Sequence, residues 1–149
     1  MLSQTYEILE QVGQGGMGVV YKARHKFLDK LVAIKKIRPQ REDQQRTLDR
    51  FLREMKVLAS LQHRNIVRII HAGVEDGEHF FVMEYLQGQD LQRYVDGRSP
   101  LSLREACGMI GQAAQGWQAM HAKGLVHRDV KPGICFGPRR KWSRFSIWG

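Results

Sequence analysis

The sequence predicts an α+β fold: a five-stranded antiparallel sheet with one inserted helix, followed by a helical region. Three observations predict it. Short runs rich in β-branched and aromatic residues, with turn residues between them, fill residues 6–37 and 67–85. Between them, residues 41–61 change to helical spacing. After Gly88 the apolar positions keep to helical spacing.

Tyr6 to Val12 reads as the first strand and enters a Gly-rich turn. Val19 to His25 is the second, so the turn joins a hairpin. Lys30 to Ile37 is the third, with β-branched Val32, Ile34 and Ile37. From Arg41 to Leu61, the residues Leu48, Phe51, Leu52, Met55, Leu58 and Leu61 make one apolar helix face with charges opposite. Val67 to Val74 and His79 to Tyr85 are two more strands, joined by Glu75-Asp76-Gly77-Glu78. A short helix follows over Asp90 to Asp96. Ser102 caps a longer one, with Glu105 placed for a capping box. Its apolar positions are Leu103, Cys107, Ile110, Ala114, Trp117 and Met120. Gly108, Gly111 and Gly116 weaken it, so packing must hold it.

Composition bounds the function. The chain has 149 residues, 42% apolar and 26% charged, a globular balance with room for a core. No run approaches the ~18 apolar residues of a membrane span, and Met1-Leu2-Ser3-Gln4 is not the start of a secretory signal. Cys107 and Cys135 form neither a disulfide framework nor a metal-ligand spacing, which sets a cytoplasmic expectation and names no metal-binding residue. The net charge is +9, but Arg139, Arg140, Lys141 and Arg144 supply four of it in a stretch without acids, leaving +5 for residues 1–132. No nucleic-acid motif accompanies the charge, so a solvated basic surface is expected rather than a nucleic-acid partner.

Four motifs carry chemistry. Gly13-Gln14-Gly15-Gly16-Met17-Gly18-Val19-Val20 fits G-x-G-x-x-G-x-V. A dinucleotide fingerprint would open a helix here; a strand follows instead. The pattern suits a hairpin whose bare backbone closes on phosphate groups. Val32-Ala33-Ile34-Lys35 puts Ala33 and Lys35 on one face of the third strand, a small residue beside a point charge. Glu54 lies beside Phe51 and Leu58, bordering the apolar helix face, which calls for a cationic partner; Lys35 is the natural one. Phe81 to Gly88 leaves a strand and offers backbone amides and carbonyls to a ring edge. The fourth motif is His127-Arg128-Asp129-Val130-Lys131-Pro132, the start of H-R-D-x-K-P.

Residues 6–132 resemble the eukaryotic-like (Hanks-type) protein serine/threonine kinases. Four motifs in order make the resemblance specific. It implies an N-lobe over 6–87 that holds ATP, and the start of a helical C-lobe over 88–132. It implies that Lys35 holds the α- and β-phosphates and pairs with Glu54. Val12, the Gly-rich stretch to Val20, and Ala33 would surround the nucleotide. Met83 resembles the gatekeeper, with Glu84 and Leu86 as hinge contacts to adenine. Asp129 would orient and deprotonate a substrate Ser or Thr hydroxyl, and Lys131 would contact the transferring phosphate. The implied partner is a protein substrate; the implied cofactors are ATP and Mg²⁺.

The resemblance breaks off after Pro132. The family places an Asn five residues after the catalytic Asp, where this chain has Ile134, and then the Asp of D-F-G; both hold Mg²⁺. Neither is present, so this chain is expected to be inactive in phosphoryl transfer. The alternative is a non-catalytic, ATP-binding pseudokinase. Residues 133–149 are expected to form no domain and to lack the strand pair found here in kinases. A shift of one base accounts for them. Read from the third base of each codon, the Gly133/Ile134 junction encodes only Asn, Asp, His or Tyr. The next two encode Leu or Met, then Leu or Phe. Lys141 to Gly149 can then encode Val-Val-Lys-Ile-Phe-Asp-Leu-Gly. Restoring one base near codon 132 is expected to extend the frame through D-L-G into an activation loop and further helices. Sequencing codons 128–149 and the bases beyond checks this, and an early stop in the restored frame leaves the diverged pseudokinase.

Overall fold

The computed structural model describes residues 2–15, 18–37, 45–97, 100–137 and 144–145, with side chains for all but 45–48, 50–51 and 144–145. Gly16, Met17, the expected helix start at 41–44 and most of the basic tail lie outside the described residues. The chain forms two compact units, Met1–Ala59 with Ile69–Tyr85, and Ser60–Arg68 with Leu86–Gly149.

The first unit is built on one sheet. A single helical turn, α1 (Leu2–Thr5), leads into β1 (Tyr6–Gly15), β2 (Gly18–His25) and β3 (Lys30–Ile37). The helix α2 (Gln45–Ala59) precedes β4 (Ile69–Glu75) and β5 (Glu78–Glu84). The strand order is β1-β2-β3-β5-β4, antiparallel throughout. The β4–β5 hairpin turns on Asp76 and Gly77, both at positive φ (53° and 76°). Both central residues at positive φ match the right-handed strand twist, which is why Asp-Gly works here. Period-two alternation sends Ala23, Val32, Ile34, Phe80 and Val82 to one face. Leu2 and Tyr6 close over that face. The Leu2 amide donates to Glu75 Oε1 at 2.6 Å, tying α1 to the far edge strand. On α2, Met55 and Leu58 are buried as the helical spacing requires, and the helix packs beside β4.

The second unit contains β6 (Gln89–Asp90), α3 (Leu91–Asp96), α4 (Leu103–His121), a 3₁₀ turn (Pro132–Ile134), β7 (Cys135–Gly137) and β8 (Arg144–Phe145). Asp90 caps α3, accepting from the Arg93 amide at 2.8 Å. Ser102 and Glu105 form the expected capping box: the Glu105 amide donates to Ser102 Oγ, and the Ser102 amide to Glu105 Oε2. Gly124 at φ 73° ends α4, and the Leu125 amide turns back to the Met120 carbonyl. Within α4, Met120 is buried and Trp117 packs on the core, while the apolar positions Leu103 and Ile110 are exposed. Among the described residues, no helix is long and apolar enough to cross a membrane.

One expectation is overturned. The segment after Pro132 does contain a strand pair: β7 pairs with β6 and with β8, antiparallel. Ile134 and Cys135 enter a core with Leu91, Tyr94 and Ala113. Three apolar residues in a row, Ile134 to Phe136, can add to an open strand edge and bury their side chains. Ile134→Ala is expected to cost about 3 kcal/mol by leaving a cavity, read as a lower denaturation midpoint.

Candidate functional site

Register fixes which side chains share the face opposite the core. Ala33 lies across from Lys22 on β2 and Met83 on β5; Lys35 lies across from Val20 and Phe81. Cross-strand partners point the same way, so these six residues form two adjacent rows. Glu10 extends the first row on β1. The Ala33–Lys35 pairing read from the sequence therefore stands, and the sheet adds Met83 to it. Glu84 is across from Val32, so its side chain takes the opposite face and its backbone is what remains for a ring edge.

The β1–β2 hairpin ends at the Gly15–Gly18 pair, with β1 at the sheet edge. Gly18 has φ 148°, and a Cβ there would lie 2.0 Å from the Lys36 carbonyl oxygen. No L-residue fits, so the hairpin needs glycine at this position. Val12 sits at a bulge in β1 and is exposed, as are Gln14 and Gly15; Gly13, Val19 and Val20 are half-buried. The Gln11 side-chain amide donates to Gln14 Oε1 across the bulge.

Lys35 is 4% exposed, unusual for an ammonium. Burial pushes it down to about 8, because desolvation penalises the charged form. Glu54 is half-buried on α2, on the flank of the turn that buries Met55 and Leu58.

The second unit holds the remaining residues. Leu86 is half-buried at its start. Arg128 has φ 64°, a left-handed conformation rare outside glycine, which turns the chain sharply before Asp129. The Asp129 amide donates to His127 Nδ1 at 3.3 Å. Lys131 Nζ meets Asp129 Oδ2 at 2.7 Å, with both side chains more than half exposed. Lys131 is extended, as the residue before a proline prefers, and Pro132 starts the 3₁₀ turn. The sequence thus places Asp129 and Lys131 in reach of one another, and the loop brings them together.

Two features escaped the sequence reading. Asn65 is fully buried; in sequence it lies between α2 and β4, two residues before the expected strand start at Val67. Its signal was an amide side chain directly before the apolar Ile66-Val67. Lys22 also belongs to the Ala33 face; counting two residues on from Val20 would have found it.

ATP fits these groups: a buried cation beside a small residue, and a Gly-rich hairpin whose Gly18 leaves no room for a side chain. Mg²⁺ does not fit, because the position for its loop ligand is Ile134, buried in an apolar core.

The buried lysine gives a pH signature. Its folded-state pKa lies below the unfolded value of about 10.4, so between those values the unfolded chain binds more protons. Stability therefore rises with pH from about 8 to about 10.4, and the penalty is fully present below about 8. Lys35→Met is expected to flatten that rise, measured by urea denaturation from pH 7 to 10.5.

A sequence model of the protein kinase domain matches residues 6–134. The chain is 36% identical over 133 residues to the probable serine/threonine-protein kinase PknB of Lactococcus lactis, covering 89% of this chain and 21% of that protein. It is 39% identical over 131 residues to the serine/threonine-protein kinase PrkC of Bacillus subtilis, covering 88% and 20%. With the serine/threonine-protein kinase pkn3 of Myxococcus xanthus it shares 36% over 141 residues, 93% and 26%. It spans about a fifth to a quarter of the length of these relatives. With the Gly-rich hairpin, the buried Lys35 and the His127–Lys131 loop in family order, the chain belongs to the protein kinase domain family, among its Hanks-type serine/threonine members.

Proposed function

We propose that the first unit holds ATP and that the chain as given does not transfer its γ-phosphate. The observation that carries the nucleotide reading is Lys35, an almost fully buried ammonium on the same face as Ala33. A phosphate beside it would offset the desolvation that burial imposes. Glu54 is its proposed partner on α2. The backbone of the Gly13–Gly18 hairpin closes over the phosphates, and Val12, Val20 and Ala33 flank the adenine. Met83 limits the depth of the ring pocket; Glu84 and Leu86 offer backbone groups to the ring edge.

In an intact relative, the reaction would be transfer of the γ-phosphoryl group from ATP to a Ser or Thr hydroxyl of a protein substrate. Asp129 would orient the hydroxyl and accept its proton, and Lys131 would hold the phosphate. In this chain the fifth residue after Asp129 is Ile134, which offers no oxygen to Mg²⁺. Bound metal normally neutralises charge developing on the phosphates; a buried isoleucine supplies nothing in its place. Retained ATP binding without transfer is the pseudokinase reading, supported by the same residues.

Titration with a fluorescent ATP analogue is expected to show saturable binding that Lys35→Met weakens at least about tenfold, the loss of one charge-assisted contact. Radiolabelled transfer to a generic protein substrate is expected to stay at background in the unmodified chain and in Asp129→Ala alike. Absence of binding overturns the nucleotide reading; transfer that vanishes with Asp129→Ala overturns the inactive one.

A further inference from the structure

The row Glu10–Lys22–Ala33–Met83 crosses four strands on the face that carries Lys35. Its outer end is closed by a three-part contact within the first unit. Lys22 Nζ meets Glu10 Oε1 at 2.9 Å and lies 5.4 Å from the centre of the Tyr85 ring. Tyr85 directly follows Glu84, the last residue of β5. One ammonium thus joins β1, which leads into the Gly-rich hairpin, to the segment that leaves β5. Lys35 sits one row further along, nearer the hairpin tip.

We propose that Lys22 is a positioning residue for the ring end of the nucleotide. It restrains Glu10 and Tyr85 on either side of the Ala33 row, so that a flat ring meets walls already in place. This inference rests on the nucleotide reading above. The physical argument is preorganisation: ordering a Tyr side chain and a strand edge when the ligand arrives would subtract from affinity. The contact orders them beforehand. Glu10, first, and then Tyr85 hold the Lys22 ammonium in its charged form, raising it above its ordinary value. A phosphate chain lying toward Lys35 would not meet this contact. The residue should therefore matter for ring-bearing ligands and not for phosphate alone.

The test is calorimetric titration of the chain with adenosine, ATP and inorganic tripolyphosphate. Lys22→Met keeps most of the stem and removes the charge. It is expected to weaken adenosine and ATP about fivefold, the size of an exposed ion pair with a cation–π contact, and to leave tripolyphosphate unchanged. Lys22→Arg, which can pair with a carboxylate and stack on an aromatic ring, is expected to restore adenosine affinity. Tyr85→Ala is expected to act non-additively with Lys22→Met. Unchanged adenosine affinity in Lys22→Met overturns the proposal, as does an equal loss for tripolyphosphate or a failure of arginine to rescue. If the unmodified chain binds neither ATP nor adenosine, the nucleotide reading itself fails and the inference falls with it.

Discussion

The two-residue period of β3 is the constraint on which the first unit depends. Val32 and Ile34 must enter the apolar core, so Ala33 and Lys35 must leave it on the opposite face. A slip of one residue would put an ammonium into the core and two β-branched side chains on the opposite face. The core side is therefore not merely support for the site: its demand for Ile34 is what aims Lys35. The same logic extends across the sheet, where burial of Ala23 fixes Lys22 and burial of Val82 fixes Met83 and Phe81. Anchoring at the edges completes it, since α1 covers the core face and reaches β4 through Glu75.

Against that economy, Lys35 is costly. Desolvation penalises the charged form of an ammonium on a face it shares with Phe81 and Met83. The proposed nucleotide gives that charge a use. Gly18 shows the same priority: its backbone approaches the Lys36 carbonyl so closely that only glycine fits, and glycine stiffens nothing in the unfolded chain. Arg128 adds a third local cost in the other unit, a left-handed turn that sets Asp129 beside Lys131. These three locally unfavourable choices lie within the sequence motifs.

Most of the sheet was legible because periodicity reports burial directly. Lys30–Ile37 was read to the residue, and the capping box at Ser102 and Glu105 needed only spacing. Boundaries set by register were not legible: β1 runs on to Gly15 because it pairs with Gly18, and β4 starts at Ile69, where its pairing with Met83 begins. Tyr85 is the last residue of the first unit, and residues 60–68 group with the helices although in sequence they lie between parts of the sheet. Such grouping depends on contacts distant in sequence. For the site, residues whose chemistry is rare in a strand, such as Lys35 and Gly18, announced themselves. Lys22 did not, because a lysine on a strand is usually a solvated one; only its partners Glu10 and Tyr85, twelve residues before it and sixty-three after, give it a role.

The segment after Pro132 shows which requirements of a fold are tolerant and which are not. Strand pairing uses backbone groups that every residue but proline carries, so Cys135-Phe136-Gly137 can extend the edge offered by Gln89 and Asp90 whatever its origin. Core filling asks for apolar volume, and Ile134 provides it. Both conditions are met by many sequences. Holding a metal ion asks for an oxygen at one position, and no neighbouring residue can substitute for it. A stretch read out of frame therefore has a fair prospect of keeping the local architecture and a poor one of keeping the chemistry. The strands at 135–137 and 144–145 are compatible with both the shifted frame and the diverged pseudokinase. The buried isoleucine five residues beyond Asp129 is the feature with consequences, because it completes a core at the point where the family's reaction needs a ligand.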